Sequence, residues 1–101
     1  MAPIAGDTMR YVICYDVVDD RRRTKLAKHL LRHGDRVQWS TFECEFQKHY
    51  QLELALTKAG ELIDTGTDSL RCYRICAECC TCIACIGTGT TFETVPAATI
   101  V

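Results

Sequence analysis

Between Arg10 and Asp16 the sequence RYVICYD alternates as a β-strand, with Tyr11, Ile13 and Tyr15 on one face and Val12, Cys14 and Asp16 on the other. Both faces are apolar until the final residue, so such a strand is covered on both sides. A chain of 101 residues forms one domain, and small domains bury a smaller share of their surface than large ones. Helices can cover one face of the sheet. A second copy, related by a two-fold axis, is the simplest cover for the other.

The remaining periodicities agree with that layout. From Arg21 to His33 the apolar residues Leu26, Ala27, Leu30 and Leu31 recur at helical spacing, Asp19 and Asp20 stand where an N-cap belongs, and Gly34 supplies the expected stop. Arg36 to Phe46, RVQWSTFECEF, has period two and reads as a strand broken near Ser40. Leu52, Ala55, Leu56, Ala59, Leu62 and Ile63 form one stripe, which predicts a second helix over 47–63. A turn at Thr65 to Thr67 precedes a strand over 68–76, and short apolar runs at 82–86 and 91–95 are expected to be late edge strands flanking a turn at Gly87 to Gly89. The skeleton is α+β: a ferredoxin-like sandwich of β-α-β-β-α-β type with a C-terminal extra edge strand, dimerising about a two-fold axis through the sheet face. Residues 1–8 read as a flexible extension, 9–87 as the domain and 88–101 as a C-terminal extension.

The chemistry concentrates where the first strand meets the first helix. Asp16 closes the strand, and Asp19 and Asp20 lead straight into Arg21, Arg22 and Arg23. Hard cations such as Mg²⁺ take oxygen ligands, commonly one or two carboxylates plus waters and phosphate oxygens, and the arginine fork matches phosphate. Acid and base side by side therefore point to phosphodiester handling more than to small-molecule chemistry. Seven of the twelve lysines and arginines fall in this region, namely Arg21, Arg22, Arg23, Lys25, Lys28, Arg32 and Arg36, with Asp35 the one acid among them. They make a local positive patch on a chain of net charge −1, and are the expected nucleic-acid contacts. A solvated helix face is the plain alternative for the same run. His29 and His33, four apart with no acid or cysteine to complete a ligand set, read as an exposed pair.

No window reaches the roughly eighteen apolar residues of a membrane span, and the start MAPIAGDTM lacks a signal-peptide core, so the expected location is the cytoplasm with no membrane contact. There the eight cysteines are expected as reduced thiols. Cys76, Cys79, Cys82 and Cys85 form C-x₂-C-x₂-C-x₂-C, close to a ferredoxin run. A ferredoxin places the last cysteine one residue later with a proline behind it, and structural zinc joins knuckles a dozen or more residues apart. The spacing thus argues against a zinc or Fe-S site and for buried free thiols acting as small apolar side chains.

Taken together, Tyr15-Asp16 closing an apolar strand, Asp20 with the run Arg22 to Lys25, Arg36-Val37-Gln38, Ser40 to Cys44, and Asp68 to Arg71 with Tyr73 and Cys76 closely resemble the CRISPR-associated Cas-two family. The resemblance runs from about Met9 to Gly87. It implies a ferredoxin-like homodimer that joins the Cas-one integrase, captures foreign DNA and helps insert it as spacers. Many members are described as metal-dependent nucleases on RNA or duplex DNA. Position by position, Asp16 matches the family's metal-linked acid, so the resemblance implies Mg between the Asp16 carboxylates of two protomers. Tyr15, Arg23, Arg36 and Phe42 fall on neighbouring motif positions; it implies phosphate orientation for the arginines and packing or positioning for the aromatics. A structural adaptor without chemistry and a stand-alone ribonuclease of the toxin type are the alternatives on the same fold. The extension before Met9 and the cysteines at 82 and 85 depart from the common pattern.

Overall fold

The structure, a computed structural model, describes residues 8–87. Strand β1 spans Met9–Asp16, helix α1 Asp20–Leu31, strand β2 Gly34–Gln38, strand β3 Thr41–Phe46, helix α2 His49–Leu62, strand β4 Ser69–Ile75 and the short helix α3 Ala77–Cys80. The sheet order is β2-β3-β1-β4, with every pairing antiparallel. This is the expected β-α-β-β-α-β sandwich, with β1 central and α1 and α2 on one face.

Cross-strand register divides the side chains between two surfaces. Tyr11 pairs with Cys44, Ile13 with Phe42 and with Cys72, and Tyr15 with Leu70. These rows face the helices, where Tyr11, Ile13, Tyr15, Phe42, Cys44 and Phe46 pack against Leu26, Ala27, Leu30, Leu52, Ala55 and Ala59. Removing this apolar surface from water is the main stabilising term. The opposite face carries Arg10, Val12, Cys14 and Asp16 from β1, Thr41, Glu43 and Glu45 from β3, and Ser69, Arg71 and Tyr73 from β4. Among the described residues only the short α3 reaches it, where Cys80 meets Arg10 at the Arg10–Glu45 end. Val12 and Cys14 are only half-buried on this face, so within one chain the second face lacks the cover expected of it.

Asp19 is the N-cap of α1 and accepts from the Arg22 amide at 2.9 Å. That bond holds its carboxyl below the usual range. Gln51 opens α2 by accepting from the Gln47 and Lys48 amides, both at 3.0 Å.

Several expectations change. The broken strand is a hairpin: Trp39 and Ser40 form a two-residue turn between β2 and β3, with the pairing shifted between Arg36 and Gln38. Gly34 does not cap α1. It begins β2, and a Cβ there would lie 1.9 Å from the Glu43 carbonyl oxygen, so close approach of β3 is what demands glycine. His29 and His33 are half-buried rather than exposed: His29 Nε2 lies 2.9 Å from the Ala55 carbonyl oxygen, and the His33 ring sits 5.1 Å from that of Phe46. Burial, and the neighbouring His29, lower the His33 pKa. Residues 82–86 are not a strand, because the turn of α3 ends β4 and leads the chain out of the ladder. The run at 91–95 and the extensions 1–7 and 88–101 lie outside the described residues.

Candidate functional site

Asp16 ends β1 on the uncovered face, exposed and opposite Ser69 of β4. It borders a shallow hollow of about 260 Å³ shared with Cys14, Tyr15, Ser69 and Arg71. Arg71, held by its bond to the Tyr73 hydroxyl at 3.3 Å, is the cation that lines this hollow, and the sequence reading did not assign it a role. Its signal lay in β4 alternation, which places Arg71 with Ser69 and Tyr73, but only the register with β1 shows that this is the Asp16 side.

Of the other candidates around Asp16, Tyr15 borders the same hollow with its ring buried in the core, while Arg23, Arg36 and Phe42 do not line it. Phe42 is fully buried on the helix side and stacks on Tyr15 at 6.2 Å between ring centroids. Both rings are core and pack behind the strand end. The Tyr15 hydroxyl is buried without a hydrogen-bond partner among the described residues. Arg23 donates to the Val17 carbonyl at 2.7 Å and pairs with Asp20. Arg36 donates from Nε and Nη2 to the Trp39 carbonyl at 2.8 and 2.6 Å. Both arginines are thus partly engaged in holding loops.

The seven expected nucleic-acid contacts separate into two groups. Arg22 is bound to the buried Asp68 carboxylate through Nε at 2.8 Å and Nη2 at 3.3 Å, so its charge is spent inside the fold; Arg23 and Arg36 are tied as above. Arg21, Lys25, Lys28 and Arg32 are exposed and form no ion pair among the described residues. Their spacing of four, three and four places them on one stripe of α1 continued by its C-cap Arg32, opposite the buried Leu26, Ala27 and Leu30. At about 1.5 Å per residue the stripe is roughly 16 Å long, enough for several phosphates of one strand.

No three His, Cys, Asp or Glu side chains among the described residues converge as a ligand set. One exposed carboxylate suits a hard cation that keeps most of its waters, provided a second carboxylate arrives from another copy. The thiols of Cys76, Cys79 and Cys82 are exposed, not buried as the sequence reading expected, because they lie past Ile75, the last residue of β4, on and beside a short helix that buries none of its residues. Cys76 accepts from the Cys79 amide at 3.4 Å. The Cys79 thiol lowers the Cys76 pKa and is itself raised by Cys76. Burial pushes Cys44 up to about 12. Brief alkylation of the native chain near neutral pH is therefore expected to modify Cys76 more than about tenfold faster than Cys44, read by peptide mass mapping. Equal labelling of the two would contradict this environment.

The family profile of CRISPR associated protein Cas2 matches residues 9–82, which spans every element from β1 through α3. The chain belongs to the Cas2 family. A relative named CRISPR-associated endoribonuclease Cas2 4, from Rhodospirillum rubrum, is 47% identical over 70 residues, covering 69% of this chain and 56% of the relative. The chain thus spans little more than half the length of that protein. Cas2 of Streptococcus pyogenes, in its crystal structure at pH 6.5, superposes with a TM-score of 0.60 at 31% identity, covering 64% of this chain and 83% of the other. A chain of a solved partial Cas6-RT-Cas1–Cas2 complex superposes with a TM-score of 0.71 at 29% identity, covering 92% and 99%. In this Cas2-family chain Asp16 and the α1 stripe both fall inside the matched segment. No helix among the described residues is long and apolar enough to cross a membrane.

Proposed function

We propose that the chain acts as a homodimeric CRISPR adaptation subunit: it binds duplex DNA, or RNA, along α1, docks on a Cas1-type integrase, and hydrolyses phosphodiesters with Mg²⁺ at Asp16. One observation carries the reading. Four exposed cations run down α1 from the end of the sheet where Asp16 stands exposed on β1. The printed names of the relative and of the complex, an endoribonuclease and a Cas1–Cas2 assembly, support nuclease chemistry and an integrase partner. The uncovered sheet face supports dimerisation, since Val12, Cys14 and Tyr73 await cover there.

Arg21, Lys25, Lys28 and Arg32 fix the phosphate backbone, and Arg71 beside Asp16 orients the phosphate to be attacked. Asp16, with its counterpart in the second copy, would hold the cation. When bound, Mg²⁺ supplies charge stabilisation on the phosphoryl oxygens and a more acidic water. A second reading, an adaptor that holds DNA without cutting it, is favoured by the single carboxylate each chain supplies.

The test compares cleavage of RNA, single-stranded DNA and duplex DNA, with and without Mg²⁺, by the native chain and Asp16→Asn. Metal-stimulated cleavage is expected to fall to background in the variant while binding persists. Cleavage indifferent to the substitution would sink the assigned site; duplex binding without any cleavage would select the adaptor. Duplex affinity is expected to fall with salt at a log–log slope of roughly −3 to −4 per chain, and Lys25→Gln with Lys28→Gln should make that slope shallower by about two.

A further inference from the structure

The cations of α1 account for phosphates but not for the most exposed aromatic ring near them. Trp39, at the tip of the β2–β3 hairpin, is 74% exposed. The tip is tightly held. Arg36 donates twice to the Trp39 carbonyl, its guanidinium lies 4.6 Å from the centroid of the Trp39 ring, and the Ser40 carbonyl accepts from the Tyr15 amide at 3.1 Å. The last bond places the hairpin tip at the Asp16 end of β1.

Between this tip and α1 runs a groove of about 410 Å³. Ala27 and Leu31 give it an apolar floor, Trp39 an aromatic wall, and Lys28, Arg23 and Arg36 a cationic rim. Asp20 also lines it, but is paired with Arg23. The remaining charge is positive. Lys28 belongs both to this groove and to the phosphate stripe of α1, so the groove is continuous with that stripe.

An occupant must therefore combine a flat apolar surface with an anion a few ångströms away. We propose that the groove is a stacking subsite for an unpaired base of single-stranded nucleic acid, with Trp39 as the platform, Arg36 stacked on the ring to hold it in place, and Lys28 on the adjoining phosphate. Every base offers a π-face, so the subsite is sequence-tolerant. In a duplex the faces of the bases are already stacked on one another, so a paired strand gains nothing from Trp39. The proposal rests on the reading that α1 binds nucleic acid, and adds to it a preference for unpaired strand at the hairpin tip.

Trp39 is the one tryptophan in the sequence, so emission of the full chain excited beyond tyrosine absorption reports this subsite alone. The experiment titrates the chain with a short oligothymidylate and, separately, with a duplex of equal length. The single strand is expected to quench Trp39 emission and the duplex to bind without quenching. Trp39→Ala should weaken single-strand binding about tenfold while leaving duplex affinity unchanged, and Trp39→Phe should retain most of it. Duplex binding without any quenching by the single strand would overturn the stacking subsite and leave the α1 reading standing. Failure to bind either polymer would overturn both. Emission that ignores oligonucleotide but shifts as the chain itself is concentrated would assign Trp39 to a contact between copies and equally defeat the proposal.

Discussion

Asp68→Ala is expected to lower the melting temperature by roughly 15 °C, because removing one partner of a buried ion pair strands the groups that faced it. The Asp68 side chain is completely shielded from solvent and ties its own α2–β4 connection to α1 and to the β1–α1 loop. It accepts from Arg22 of α1 at 2.8 and 3.3 Å, from the Val18 amide of the β1–α1 loop at 3.1 Å, from the Asp64 amide beyond α2 at 2.9 Å and from the Thr67 hydroxyl at 3.1 Å. The Arg22 guanidinium, with these further donors, holds the carboxyl well below the usual carboxylate range.

The sign of the pH effect follows. A carboxyl whose folded-state pKa is depressed adds stability that is fully present above its unfolded value of about 3.9 and is lost as pH falls through the folded value. Thermal melts of the native chain should therefore weaken on acidification below that region, whereas the Asp68→Ala melt should respond less. A variant that melts like the native chain at neutral pH would show that the hub is dispensable. Arg22→Glu is expected to destabilise in the same manner, which makes it a poor probe of nucleic-acid contact; Lys25 and Lys28 are the informative positions. Since Val18 hangs on Asp68, the hub also fixes the loop between the Asp16 strand end and the basic helix.

Gly34→Ala is the second large effect. Its new methyl group would sit 1.9 Å from the Glu43 carbonyl oxygen and 2.5 Å from the Cys44 Cα. Both are backbone atoms of the paired strand, so no side-chain rotation relieves the clash and β2 must part from β3. A fall of roughly 10 °C or more in melting temperature is expected. Gly60→Ala is the matched control: within helix α2, with nothing within 4 Å of the added carbon, it should stabilise by up to about 0.5–1 kcal/mol. Equal melting temperatures for the two variants would show that β2 tolerates displacement.

Much of this architecture was legible because period and caps are local signals. The alternation of Arg10 to Asp16, the stripe from Leu52 to Ile63 and the acids before Arg21 each specify an element within a few residues. The hairpin was blurred because Trp39 and Ser40 carry none of the Asn or Gly that usually mark a two-residue turn. Gly34 was misread because a glycine after a helix so often caps it, while the atoms that require it here belong to a strand nine and ten residues onward. Asp68 was hidden more thoroughly. Its partners Arg22 and Val18 are 46 and 50 residues away, and before a strand a lone aspartate resembles any turn residue. The site shows the same division. Asp16 and the α1 cations could be named from sequence, but which arginines already serve the fold depended on tertiary contacts. The thiols near the C-terminal end of the described chain were expected inside because cysteine is so often buried, and no local pattern signals that a chain has left its sheet.

The two rims of the sheet are unequal. At β2 the ladder is irregular between Arg36 and Gln38 and closes in a tight hairpin, a geometry that discourages an incoming strand. At β4 seven residues from Ser69 to Ile75 form an uninterrupted ladder with β1, and no strand among the described residues lies outside them. The sheet is therefore more readily extended on the β4 side, and a backbone that adds there, from this chain or another, arrives on the side of Arg71.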